Sequence, residues 1–126
     1  MDEFIINVYE KLVSVSKNKG LIYYFELNKC LPLKNSSNFL NPFQTLFNTL
    51  NKLNEELKKQ DLPLLTSLVV NKNSGRPGKG FFYYSKTLGI FNGNVDSDFE
   101  KDLFWKSEKE KVYKHEWNNI FLTKEK

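Results

Sequence analysis

Residues 62–84, LPLLTSLVVNKNSGRPGKGFFYY, decide how the rest of the chain is read. Residues 64–70 are apolar and β-branched enough for a strand. Asn71, Ser74, Gly75, Pro77, Gly78 and Gly80 interrupt it, and Phe81, Phe82, Tyr83 and Tyr84 restart one. The expectation is a long antiparallel hairpin whose tip, residues 72–79, carries Lys72, Arg76 and Lys79. No stretch of the chain spells out a reaction.

Upstream of the hairpin, Asn41 as cap, Pro42 in the first turn and Gln44 three residues after the cap predict a helix that runs to about Gln60. Its apolar stripe is Phe43, Leu46, Phe47, Leu50, Leu53 and Leu57, and its other face carries Gln44, Thr45, Asn48, Lys52, Asn54 and Lys58. Asp61, Leu62 and Pro63 end it. A polar loop at residues 34–38 precedes it. Residues 2–17 place Phe4, Ile5, Val8, Leu12 and Val15 at steps of three and four, which predicts an amphipathic helix stopped at Gly20. Between the two, residues 21–31 read as two or three extended residues and then a helix to about Cys30, closed where Leu31 meets Pro32.

Downstream, residues 85–95 read as a loop whose Ile90 and Phe91 tuck into the body. Ser97 with Glu100 makes a capping box for a last helix from about Asp98 to Trp117, with Phe99, Leu103, Val112, Tyr113 and Trp117 turned inward. Lys124, Glu125 and Lys126 read as a frayed end.

The predicted fold is therefore α+β and winged-helix-like, three to four helices packed on a β-hairpin or small antiparallel sheet, with residues 1–126 as one domain. In that arrangement the third helix offers Gln44, Asn48 and Lys52, at steps of four, to base edges or backbone, and the wing offers Lys72, Arg76 and Lys79 to phosphates. Phe47, Leu50, Leu68, Val70, Phe82 and Trp117 are the expected core residues, and Tyr83 and Tyr84 are expected to join them.

Composition sets the bounds. A chain of 126 residues with 11 Phe, 6 Tyr and 2 Trp can bury an aromatic-rich core without disulfide or metal support. The single Cys30 cannot form an internal bridge, which fits a reducing cytoplasm. No apolar run approaches the roughly 20 residues of a membrane span, and the start of the chain does not read as a signal peptide. The net charge of +4 is unevenly placed. Residues 61–86 hold four cations against Asp61 alone, whereas residues 87–126 hold seven Lys against eight carboxylates. A like-signed loop tip suits a negatively charged partner.

Residues 62–82 resemble a family of small bacterial domains that read roughly LPxLxxLVVNxxTGxPGxGF and close with Val-Tyr/Phe-x-x-x-Trp, matched here by Val112, Tyr113 and Trp117. Residues 22–27, IYYFEL, are similar to that family's strand-into-helix segment, and Ser74 stands where the pattern has Thr. Similar domains open modification-dependent HNH restriction endonucleases of the McrA type. The resemblance implies a DNA-associated or defence-associated module, without a nuclease, since an HNH site needs more than one histidine.

The residue inventory argues for binding over catalysis. His115 is the only imidazole and lies at the charged end of a helix, and no serine or cysteine sits in a nucleophile motif. Metal-ligand spacing is missing. Residues 75–80, GRPGKG, lack the spacing of a phosphate loop. Asp96, Asp98, Glu100 and Asp102 read as partners of a helix start. The inventory thus predicts a non-enzymatic, cofactor-free binding protein, and with the resemblance added the expectation is a DNA-binding accessory or defence-associated module. A rival from a different class is a small phage- or mobile-element-type inhibitor that docks on a nuclease or defence complex, with the acidic edge at residues 96–102 mimicking phosphates. A small-nucleotide pocket is neither supported nor excluded.

Overall fold

The structure, a computed structural model, describes residues 3–31 and 43–117. Its first helix, α1 (Glu3–Lys17), buries Ile5, Val8, Tyr9, Leu12 and Ser16, one stripe at helical spacing. Lys19, one residue before the expected glycine, takes the left-handed turn at φ 53°. Lys19 N–H then donates to Ser16 O at 2.9 Å and Gly20 N–H to Val15 O at 3.1 Å, a Schellman closure. Strand β1 (Ile22–Tyr23) and helix α2 (Tyr24–Asn28) follow, as the sequence predicts.

Helix α3 (Gln44–Lys59) buries Leu46, Leu50, Leu53 and Leu57, the expected stripe, together with Thr49 and Asn54. The capping expectation at Asn41 and Pro42, the loop at residues 34–38 and the end at residues 124–126 lie outside the described residues. Asp61, at φ 58°, closes α3 with the same motif as α1: Leu62 N–H donates to Leu57 O at 2.9 Å.

The chain then enters a 3-10 turn (Leu65–Leu68) and strand β2 (Val69–Val70). The expected hairpin is not formed. β2 pairs with β1 in parallel, Ile22 with Val69 and Tyr23 with Val70. Residues 81–84 are helical, within α4 (Lys79–Thr87). The class remains α+β: among the described residues there are five α-helices and one two-stranded parallel sheet.

The physical reason lies in burial. Residues 64–70 are buried throughout, Thr66 and Ser67 included, packed among α1, α3 and the last helix α5 (Asp98–Lys114). A segment buried on all sides carries no alternation, so an apolar run of this length reads equally as strand or turn. Aromatic residues favour strands only weakly against packing. In α4, Phe81, Phe82 and Ser85 face inward at helical spacing while Tyr83 faces out and Tyr84 is half-buried, which corrects the placing of both tyrosines in the core. Phe81, Phe82, Phe91 and Phe104 form one aromatic cluster with ring centroids 4.8–6.5 Å apart. Ile90 and Phe91 do tuck in, following a Schellman closure at Gly89 (φ 79°) in which Ile90 N–H donates to Ser85 O at 2.9 Å.

Ser97 caps α5 by accepting from Glu100 N–H at 3.2 Å, as expected. The reciprocal half of the capping box is not made: Glu100 accepts instead from Asn94 N–H at 2.9 Å. The register of α5 also differs from the expected one. Trp105, Glu108 and Val112 face the core, whereas Phe99 and Leu103 are 72% and 54% exposed. Trp105 Nε1 donates to Ser67 O at 2.8 Å and Glu108 Oε1 accepts from Leu64 N–H at 3.1 Å. Both satisfy backbone of the buried turn, which has no regular ladder of its own. From α3, Asn54 Oδ1 accepts from the Thr66 hydroxyl at 2.6 Å, so Asn54 belongs inside rather than on the polar face. Phe47, expected in the core, is 40% exposed. Leu50, Leu68, Val70, Phe82 and Trp117 are buried.

Candidate functional site

The loop of residues 71–78 follows β2 and precedes α4. It is tied by Asn71 N–H to Arg76 O and by Gly75 N–H to Asn71 O, both at 2.8 Å, and Gly75 supplies the left-handed corner at φ 70°. Arg76 does not hang free. Its Nη2 donates to Asp102 Oδ1 at 2.5 Å and lies 4.0 Å from Asp98, which pins the loop to α5. On the other side Gly78 N–H donates to the Tyr24 hydroxyl at 3.1 Å. Burial holds the Tyr24 phenol above its ordinary range, with the Gly78 N–H pulling the other way.

The three loop cations therefore have different surroundings. Lys72 is exposed and its ammonium sits 5.7 Å from the Phe25 ring centroid; Lys29 stands 5.5 Å from the same ring. Phe25 in turn stacks on Tyr23, with centroids 6.0 Å apart and planes 14° from parallel. Tyr23 and Phe25 are 36% and 40% exposed. Two adjacent rings with two ammonium groups beside them form an open platform. Sequence reading did not single out Tyr23, Phe25 or Lys29, because their convergence with Lys72 depends on the parallel pairing of β1 with β2.

Lys79 opens α4 and lines a groove of about 480 Å³ between α3, α4 and the β1–α2 junction. Tyr24 and Phe47 form one side, edge to face at 5.8 Å, and Tyr83 stands exposed at another part of the wall. Asn51, Asn54 and Asn71 add amides to the lining. Among the described residues, Lys79 is the only charged one that lines the groove. Near its edge the Tyr84 hydroxyl donates to the Glu55 carboxylate, and this bond with burial and the negative charge pushes the phenol up to about 12.

Of the third-helix candidates, Gln44, Asn48 and Lys52 are exposed on α3, and Gln44 Nε2 donates to Asn48 Oδ1 at 3.0 Å. Asn51, on the same helix, reaches the groove that Lys79 lines from the other side. The groove thus lies between the third helix and the start of α4, while Lys72 and Arg76 lie outside its lining. Among the described residues no group of His, Cys, Asp and Glu is placed to hold a metal ion, and no helix is long and apolar enough to cross a membrane. Comparison with known proteins finds no matching family model, no matching curated protein and no matching solved structure.

Proposed function

We propose that this chain is a non-enzymatic nucleic-acid-binding module, a DNA-associated accessory of the defence-linked kind that the resemblance of residues 62–82 implies. The observation that carries the proposal is the exposed Tyr23–Phe25 stack with Lys29 and Lys72 beside it. Aromatic faces accept stacked bases and neighbouring ammonium groups accept phosphates, the combination used on single-stranded nucleic acid. Of the winged-helix expectation, the exposed face of α3 with Gln44, Asn48 and Lys52 stays in the proposal as a flank, and the part of the wing passes to the loop of residues 71–78. Arg76 is a weaker candidate for phosphate than Lys72, because Asp102 already neutralises it.

Anisotropy titrations of labelled single-stranded and duplex DNA, at about 50 and about 200 mM salt, test the proposal. Changing Lys29, Lys72 and Lys79 together to Ala is expected to weaken binding and to shrink the salt slope by about 0.7 per lost contact on single strands and about 0.9 on duplex. Phe25→Ala is expected to cost about 1–3 kcal/mol on single strands. If the wild-type chain binds neither form at the lower salt, the proposal is wrong.

One observation favours the second reading, a small inhibitor docked on a nuclease or defence complex. Phe99 and Leu103, one turn apart on α5, are exposed beside Asp98 and Asp102. Loss of partner capture in a Phe99→Ala, Leu103→Ala variant, with no binding of DNA by the wild type, would select it.

A further inference from the structure

We infer that the groove between α3, α4 and the β1–α2 junction is a nucleotide site, taking one unstacked base and its phosphate. This deepens the nucleic-acid reading and rests on it for the source of the ligand.

The groove's volume of about 480 Å³ lies within the range of small-molecule sites, roughly 300–1,000 Å³. Its walls combine aromatic rings with amides. Phe47 sits on the stripe of α3 that packs the core, yet it is left partly uncovered, edge to face with Tyr24. A planar base fits against such rings.

The polar groups are the second observation. Asn54 is 2% exposed and lines the groove, and its Oδ1 is already committed to the Thr66 hydroxyl. Its NH2 is a donor that the Thr66 bond does not use. Asn51 and Asn71 bring two more amides, each with donor and acceptor, the pairing that base edges present.

The third observation is charge. Lys79 and Gly80 line the groove at the start of α4, a nine-residue helix whose cap, Gly78, provides no side-chain acceptor. The start of the helix, with Lys79, therefore forms one end of the groove, and among the described residues no carboxylate lines it; the same lysine also borders a smaller hollow with Asp96 and Lys101. Such an end suits a phosphate. A base alone leaves it empty and an inorganic anion alone leaves the rings uncovered, so the joined base and phosphate is the ligand that uses the whole lining.

The ligand can come from within a single strand or as a free mononucleotide, and amide spectra of the full chain separate the two. One arm adds a nucleoside monophosphate, the other a short single-stranded oligonucleotide. The expected result is shifts at Asn51, Asn71, Lys79 and Gly80 in the arm that supplies the ligand. Lys79→Ala should raise the dissociation constant about tenfold or more, as loss of a charge-assisted contact does. Phe47→Ala, at an exposed ring, should fold normally and weaken the same shifts. If the oligonucleotide binds with shifts only at Tyr23, Phe25, Lys29 and Lys72, and the mononucleotide moves nothing, the groove inference is overturned while the nucleic-acid reading stands. If the mononucleotide shifts the groove and neither the single strand nor a duplex binds, the site stands and the nucleic-acid reading fails. Silence in both arms overturns the groove inference, and the duplex titration then decides the nucleic-acid reading.

Discussion

Residues 64–70 and residues 71–78 are consecutive in the chain and held in opposite ways. The first run is buried throughout and is gripped from three helices, with its backbone answered by Trp105 and Glu108 and its Thr66 by Asn54. The second is exposed over residues 71–75, and outside its own turn it is tied by Arg76 to α5 and by Tyr24 to Gly78. Stability therefore concentrates in the first run, and the cations and groove-lining atoms available to a partner concentrate in the second and just after it. The lesson is that the fold can tolerate change in residues 71–80 far better than in residues 64–70, so binding groups can be placed there at little cost to folding.

The largest effect expected is on the buried side. Leu68→Ala should destabilise by about 2–5 kcal/mol, since a fully enclosed leucine leaves a cavity. Phe47→Ala, at a ring 40% exposed on the groove, should cost clearly less. Denaturant unfolding followed by circular dichroism measures both. Equal losses would mean that Phe47 is a core residue and that the groove is closed in solution.

Next comes the polar support of the buried turn. Glu108→Ala leaves the Leu64 N–H without its acceptor and should cost about 1–3 kcal/mol, whereas Glu108→Gln keeps a carbonyl oxygen there and should cost less. If the two variants are equally destabilised, the hydrogen bond is not what holds the turn to α5. On the loop side the same treatment should give a smaller number. Arg76→Ala removes a partly exposed pair with Asp102, worth about 0–1 kcal/mol, while amide exchange in residues 71–78 should accelerate. A loss as large as that of Glu108→Ala would erase the contrast between the two runs.

How much of this was legible beforehand follows from the same physics. Helices α1 and α3 show one clean apolar stripe, and the Ser97 cap and the short β1 before α2 are local signals, so these elements are readable. Residues 64–70 are not, because uniform burial removes the period that separates strand from helix, and the true partner, β1, lies more than forty residues upstream. The Phe-Phe-Tyr-Tyr run misleads through strand propensity, although Ser85, four residues after Phe81, marks the helical face. Two buried polar residues carried a usable signal. Asn54 is four residues after Leu50 and three before Leu57, on the stripe itself, and Glu108 stands between Trp105 and Val112 at the same spacing. Of the candidate binding residues, Lys72 and Lys79 are visible as loop cations, but the platform of Tyr23 and Phe25 and the groove of Tyr24, Asn51 and Asn71 exist only once the parallel sheet brings residues 22–25 beside residues 69–72. The anchoring of Arg76 by Asp102 likewise needs the packing of α5.

The smallest effect belongs to the rim between α3 and α4, where the Tyr84 hydroxyl donates to Glu55. That hydrogen bond, then burial, then the carboxylate charge raise the phenol from 10.0 to about 12. Between those values the unfolded chain has already released the proton that the folded chain keeps. The contribution is thus fully present below about pH 10 and is lost as pH rises through about 12. Because the pair lies at the surface, the stability change should be slight, and the titration itself is the better readout. Phenolate absorbance of the folded chain should show a late step that Tyr84→Phe removes and Glu55→Gln moves back toward 10. The buried Tyr24 also ionises late through desolvation, so the response to Glu55→Gln is what assigns the step. If Glu55→Gln leaves the late phenols unchanged, α3 and α4 are not joined at this edge. The groove between them would then be wider than its present walls allow, and Phe47 would stand with the exposed loop side of the molecule rather than with the core.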